Sequence, residues 1–361
     1  MKKKLFLHVG THKTGTTALQ SLLATNQKLL SDGGVLFPSA GRIGKYSGHH
    51  NIVRELNDQK CFRKKYGTLE KLCYEIKKSN HKIIILSSED FGYLYGRSDK
   101  LRFFKDALEQ CGCHIEVVLF FRDHASYAEL LYRELLKDGL DISFQDFTQE
   151  LIKTGMFIFD NNRRFCFMYE NVIQGFTNIF GDANVHCETY AYPIEISFFD
   201  ITGLSGLYKK IKPVKRGHLT NEPPTIIKST ALESYNRLAT VKAILKSQKQ
   251  IGRNQIISAQ SILLESEHKI FYYTDSIVNK QFTMRFSSTI EYLRNHYQLE
   301  LISPVKPFVP ISEIYNDDKY RIAVNTLIDK AMRISLLNPV QAKILRKFYR
   351  SLYFIKNLIN S

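Results

Sequence analysis

Between Gly10 and Thr17 the chain reads GTHKTGTT, a turn made of two glycines, four threonines, a histidine and a lysine. Gly10 and Gly15 let the backbone fold tightly and leave several N–H groups pointing at one anion. A helix opening at Thr16 and Thr17 adds the positive end of its dipole, and Lys13 adds a full charge. The hydroxyls of Thr11, Thr14, Thr16 and Thr17, with His12 beside them, add further polar contacts. These residue types in this order make a cradle for a phosphate-like oxyanion. The bland alternative is a Gly- and Thr-rich turn that only joins a strand to a helix.

Such a loop works only if its flanks are right. Leu5, Phe6, Leu7 and Val9 form the short apolar run of a buried parallel strand, and Ala18, Leu19, Leu22, Leu23, Leu29 and Leu30 share one helical face that Gly33 and Gly34 close. The pattern then repeats. Helix Thr68–Ser79 precedes strand Lys82–Ser87, helix Asp99–Gln110 precedes strand His114–Phe121, and helix His124–Lys137 follows. Alternating strands and helices imply right-handed crossovers and a parallel sheet, with ligands beyond the carboxyl ends of the strands. Gly10–Thr17, Ser87–Asp90 and Arg122 therefore meet on one rim. The expected fold class is α/β: a P-loop-like three-layer sandwich with a central parallel sheet flanked by helices, plus a helical C-terminal extension.

Further along, Ser39–Asn51 reads as a long polar loop carrying His49 and His50, and Phe144–Phe180 reads as helical with Arg163 and Arg164 at its middle. Those two arginines suit either an acidic glycan or a solvated helix face. Asn184–Tyr190 reads as a strand and Ile196–Lys210 as a helix, before the basic turn-rich PVKRGHLTNEPP from Pro213. Helical spacing returns over Ile226–Lys246 and Asp275–Tyr297. The proline-rich Pro304–Pro310 marks a boundary between a domain over 1–303 and an extension over 304–361. From Ala331 that extension carries Arg333, Lys343, Arg346, Lys347, Arg350 and Lys356 without an acidic residue, as a helix packed on its parent domain or lying peripherally on the inner membrane would.

A nucleotidase P-loop places its lysine directly after the second glycine. Here Thr16 stands there and Lys13 lies inside the loop. That arrangement resembles the 5′-phosphosulfate loop of sulfotransferases that use 3′-phosphoadenosine 5′-phosphosulfate (PAPS), and the SSED strand end makes it most similar to bacterial carbohydrate-type members. The likeness covers roughly residues 1 to 300. It implies that Gly10, Thr11, His12, Lys13, Thr14, Gly15, Thr16 and Thr17 hold the 5′-phosphosulfate, and that Lys13 also stabilises the leaving oxygen as adenosine 3′,5′-bisphosphate departs.

The family's second signature is an arginine ending a strand, then a serine on the next helix, both on the 3′-phosphate. Arg122 matches, whereas Leu130 stands where that serine is expected; Ser126, one turn earlier on the same face, is the substitute. Arg122 as a structural ion pair is the bland alternative. By position Glu89 matches the family's catalytic base, with His49 and His50 as runners-up, and Lys215, Arg216 and Gly217 resemble in place the loop that closes over the cofactor, though they equally suit a solvated turn. No ligand cluster calls for a metal.

Composition narrows the partners. A chain of 361 residues with 44% apolar and 24% charged content is ordinary for a globular protein, but a net charge of +16 points to polyanions. The resemblance makes these a glycan, lipopolysaccharide or glycolipid acceptor. No nucleic-acid module is recognisable, so the rival of a non-catalytic polyanion- or nucleic-acid-binding protein rests on charge alone. The other rival, a P-loop kinase or nucleotidase, lacks the post-glycine lysine. Neither a signal peptide nor a spanning segment is evident, and Cys61, Cys73, Cys111, Cys113, Cys166 and Cys187 are scattered, which suits reduced thiols in a cytoplasmic protein. Acceptor identity and oligomeric state are not written in the sequence.

Overall fold

Leu5, Phe6, Leu7 and Val9 are shielded on both faces of a central strand, β1 (Lys3–Gly10), as parallel strands covered by helices must be. The computed structural model describes residues 2–44, 48–161, 163–191, 193–212 and 276–301, with 318, 322, 325, 326, 328 and 329. Four more strands, β2 (Val35–Leu36), β3 (Ile83–Ser87), β4 (Cys113–Phe121) and β7 (Val185–Thr189), join β1 in the order β2-β3-β1-β4-β7. All four pairings are parallel, and Leu7 lies opposite Leu86 on one side and Val117 on the other. Every strand of this sheet therefore ends on the same rim. A separate antiparallel hairpin pairs β5 (Met156–Ile158) with β6 (Arg164–Cys166).

The helices are α1 (Thr16–Thr25), α2 (Gln27–Asp32), α3 (His50–Leu56), α4 (Leu69–Lys78), α5 (Ser98–Glu109) and α6 (His124–Asp138). Then come α7 (Phe144–Thr154), α8 (Tyr169–Phe180), α9 (Ile194–Ile201), α10 (Ser205–Tyr208), α11 (Ser276–Arg285) and α12 (Ser287–Tyr297). Thr68 caps α4 by accepting the Lys71 N–H, as its residue type foretells. One face of the sheet packs Phe6, Val118 and Phe120 against Leu19, Leu22 and Leu23 of α1 and Phe198 and Phe199 of α9.

The α/β class is as expected, but five stretches differ; Ile196–Lys210 is two short helices, α9 and α10, and the helical reading over Asp275–Tyr297 breaks between α11 and α12. Phe144–Phe180 is not one helix: Gly155, at φ +74°, ends α7, and the β5–β6 hairpin separates it from α8, so Arg163 and Arg164 sit on a hairpin. Ser39–Asn51 is not loop throughout, because α3 begins at His50. The first helix breaks at Asn26, whose side-chain amide donates to Leu22 O (2.9 Å) and to Lys212 O (3.1 Å).

Contacts divide the chain into two compact units: Met1–Tyr127 with Glu150–Asn221 and Gln281–Ser303, and Ala128–Gln149 with Glu222–Lys280 and Pro304–Ser361. In the second, the Tyr132 ring meets Phe144 and Phe147 at 5.2 and 5.4 Å and its hydroxyl donates to Ile142 O. The Pro304–Pro310 boundary, the basic tail from Ala331, the Ile226–Lys246 helix and the loop with Lys215, Arg216 and Gly217 lie outside the described residues. Among the described residues no helix is long and apolar enough to cross a membrane. All six cysteines are free thiols.

Candidate functional site

The Gly10–Thr17 loop leaves β1 at the rim and turns into α1 through two left-handed residues, Lys13 at φ +69° and Gly15 at φ +79°. Positive φ at a lysine is uncommon, and a left-handed residue in such a turn is the kind of conformation in which successive N–H groups can converge on an anion. Gly15 has no room for a side chain either, since a Cβ would sit 2.9 Å from Ile194 Cγ2. At Gly10 a Cβ would sit 2.8 Å from Thr14 Oγ1. Both glycines are thus required by the side chains packed against the loop, Thr14 at Gly10 and Ile194 and Tyr190 at Gly15.

Not every threonine faces that anion. Thr14, fully buried, donates to Thr11 O at 2.6 Å, and Thr11 donates to Phe120 O at 3.1 Å. Those two hydroxyls brace the loop, against the expectation that all four would serve as donors. Among the described residues the hydroxyls of Thr16 and Thr17 make no hydrogen bond, and they stand in the first turn of α1.

Beneath the loop lies His8, 0% exposed, with Nδ1 2.8 Å from Ser87 Oγ and no partner for Nε2. Burial pushes its imidazole down to about 3, so it is neutral. The free nitrogen lies 3.4 Å from where a Gly10 Cβ would be.

The end of β3 supplies the acidic side. Ser88 accepts the Asp90 N–H and starts a 3₁₀ turn over Glu89–Leu94. A polar relay then fixes Glu89: Gly48 N–H donates to Gln20 Oε1 (3.1 Å), and Gln20 Nε2 donates to Glu89 Oε2 (3.0 Å). Because the Gln20 oxygen is taken by an N–H, its NH₂ must face the carboxylate. Glu89 Oε1 has no hydrogen-bond partner among the described residues, and the side chain lines a small cavity with Gly10, Thr11, His12 and Tyr93. Gln20 is 2% exposed and was missed in the sequence; its one signal was a polar residue on the apolar face of the first helix.

Asp90 sits between two imidazoles, with His50 Nδ1 at 3.0 Å from Oδ2 and His12 Nε2 at 3.5 Å from Oδ1. Burial works against its charge, but His50 and His12 hold it well below the usual carboxylate range. Tyr93 extends the cluster, its hydroxyl 2.7 Å from His12 Nε2 and its ring stacked on that imidazole.

The two histidine runners-up separate. Burial alone would lower His50, yet Asp90 and Glu89 together raise it to about 9, so it is an imidazolium at neutral pH and has no lone pair to offer as a base. His49 is 0% exposed, accepts the Ser87 N–H at 3.1 Å and reaches Pro38 O at 3.1 Å through Nε2. Both its nitrogens are bound to backbone, and burial and then Arg42 push it down to about 3. It is a buried brace between β3 and the preceding loop.

Arg122 ends β4 at the same rim and lies half-buried with its guanidinium 3.9 Å over the Tyr190 ring, whose edge also lies 3.3 Å from the Gly15 Cβ position. Arg122 Nε is buried without a partner. Burial lowers this guanidinium, offset by Tyr190 and Asp123, without bringing it near neutrality. Ser126 stands in the first turn of α6, but its N–H is taken by Asp123 Oδ1 at 2.9 Å. Only its hydroxyl is left for a ligand, and among the described residues that hydroxyl has no partner. Among the described residues no group of three or more His, Cys, Asp or Glu is placed to hold a metal ion.

No family model matches this sequence, and no curated protein does. Among solved structures the chain is similar to a sulfotransferase from Alicyclobacillus acidocaldarius, with a TM-score of 0.35 and 13% identity over 69% of this chain and 100% of that one. It is similar also to the PezAT chromosomal toxin–antitoxin system of Streptococcus pneumoniae, with a TM-score of 0.27 and 12% identity over 68% of this chain and 88% of that one. Neither likeness reaches the level at which it bears on chemistry, so the function is argued from the side chains.

Proposed function

We propose that this protein is a sulfotransferase that moves a sulfuryl group from PAPS to a hydroxyl of a glycan, lipopolysaccharide or glycolipid. The observation that carries the reading is one rim holding both an anion cradle with its lysine inside the loop and, across a small cavity, a carboxylate with an uncommitted oxygen. The residues fit the cofactor: a tight loop turned by left-handed Lys13 and Gly15 for the 5′-phosphosulfate, and Arg122, with a buried unpartnered Nε, followed by the Ser126 hydroxyl on the next helix for the 3′-phosphate.

PAPS supplies an activated sulfuryl group whose transfer, like that of a phosphoryl group, is in line and loose. The protein's part is then to position and to neutralise charge. Lys13 and the N–H groups of the loop bind and orient the phosphosulfate. Glu89, held by Gln20, takes the acceptor hydroxyl proton at Oε1. His50, cationic through its pairing with Asp90, stands with Nε2 4.0 Å from Glu89 Oε2. Asp90, committed to two imidazoles, is poorly placed to serve as the metal ligand a Mg²⁺-dependent nucleotidase requires.

Isothermal titration of adenosine 3′,5′-bisphosphate and of ADP, without metal, tests the reading on the unaltered chain and on Lys13→Ala. The bisphosphate is expected to bind and ADP to bind far more weakly. Loss of one charge-assisted contact lowers affinity by about 10- to 100-fold in the variant. Equal affinity for ADP, or binding that requires Mg²⁺, overturns the reading in favour of a nucleotidase.

A further inference from the structure

The β5–β6 hairpin carries two adjacent arginines into different surroundings. Arg163 is committed: its Nε donates to Asp160 Oδ2 at 2.7 Å and its guanidinium lies 4.3 Å over the Phe159 ring. Arg164 is exposed, lines the cavity that Glu89 also lines, and makes no side-chain hydrogen bond or ion pair among the described residues. Its one electrostatic neighbour there is Tyr95, whose phenol burial raises and Arg164 pulls back.

The cavity is small and partly open to solvent, and Glu89, half-buried, can be reached from outside. Arg164, Tyr93, Tyr95 and Phe165 line the same cavity as Glu89; Phe165 and Tyr93 are buried, and Arg164 is exposed. An uncommitted, exposed guanidinium on the cavity that Glu89 lines suits an acceptor with a negative substituent, because guanidinium pairs bidentately with carboxylate, phosphate and sulfate. The hairpin ladder, with Ile158 opposite Arg164, fixes the backbone that presents the guanidinium.

We infer that the acceptor is anionic, and that its carboxylate, phosphate or sulfate seats on Arg164 while a neighbouring hydroxyl enters towards Glu89. This rests on the sulfotransferase reading and adds the class of substrate to it. Arg164 is a specificity residue and takes no part in the transfer itself.

Calorimetric titration of three charged probes onto the bisphosphate-loaded protein tests it: a hexuronate oligosaccharide, a phosphorylated oligosaccharide and a sulfated one, each against its neutral counterpart. At least one charged probe is expected to bind about 10- to 100-fold more tightly than its neutral form, and which of the three does so names the anion. Arg164→Ala abolishes that preference, Arg164→Lys restores part of it, and Arg163→Ala leaves it intact. Bisphosphate affinity is unchanged in all three variants, which separates loss of the seat from loss of the fold. Equal binding of charged and neutral probes, or a preference that survives Arg164→Ala, overturns the inference while leaving the cofactor reading standing. Failure of the unaltered chain to bind the bisphosphate overturns both.

Discussion

Glu89→Gln is expected to lower the rate of sulfuryl transfer by about 10²- to 10⁴-fold, the usual worth of a positioned general base, without weakening adenosine 3′,5′-bisphosphate binding. The substitution keeps shape and removes basicity. A glutamine oxygen still accepts from Gln20 Nε2, so the relay from Gly48 through Gln20 survives and the loop opposite is undisturbed. The loss should fall on kcat, with acceptor KM changing little, because the group acts on a proton that moves only in the transition state. Pre-steady-state measurement of product formation separates this from slow release. A kcat within about tenfold of the unaltered protein sinks Glu89 as the base, since neither histidine runner-up has a free lone pair with which to replace it.

Between pH 4 and 8 stability should peak near pH 6.5 and fall more steeply on the acid side than on the alkaline side. His8, His49 and His124 are buried and neutral, each pushed down by burial to about 3. In the unfolded chain each titrates near 6.5. Between those values the unfolded state binds more protons, so stability drops as pH falls, by about 1.4 kcal/mol per pH unit for each histidine and about 4 for the three together. His50 has the opposite sign. Asp90 and Glu89 raise it against burial to about 9, so its contribution is complete below 6.5 and is lost as pH rises through 9. Up to about pH 8 one histidine opposes three; above it the thiols of Cys73, Cys113, Cys166 and Cys187, each raised by burial, add a further alkaline loss. Asp90, depressed by its imidazoles, adds to the acid limb below the unfolded carboxylate range. Urea unfolding at intervals from pH 4 to 8 gives both histidine limbs directly. An alkaline limb as steep as the acid one would mean that these histidines exchange with solvent.

The anion loop, the strands on either side of it and the rim they share were legible because each rests on a short-range rule: an apolar run, a glycine pair, a lysine within a turn. The hairpin Met156–Cys166 was not. Its strands are three residues each, too short for alternation to outweigh the helical spacing around them, and only Gly155 and the turn at Asp160–Arg163 marked the break. The polar chemistry was legible by residue but not by role. Nothing local distinguishes His49 from His50; a one-residue step puts the first under the sheet with both nitrogens on backbone and the second against Asp90. Likewise Thr14 and Thr16 look alike in the motif, and only the closed loop decides that Thr14 points at Thr11 O. The histidine assignments depend on contacts to Ser87 and Asp90, 38 and 40 positions away in the chain, which no window reading contains.

The glycine in the relay sets a limit on how this site can vary. Any side chain at Gly48 would place its Cβ 2.2 Å from Ser87 O and 2.5 Å from Gln20 Nε2. Position 48 ends a polar stretch that reads as freely variable, yet in a library of substitutions it should prove as intolerant as the sheet interior. Positions 20, 48 and 89 should also change together or not at all, because the amide that orients the carboxylate is itself held by the backbone of a residue that has no side chain to mutate.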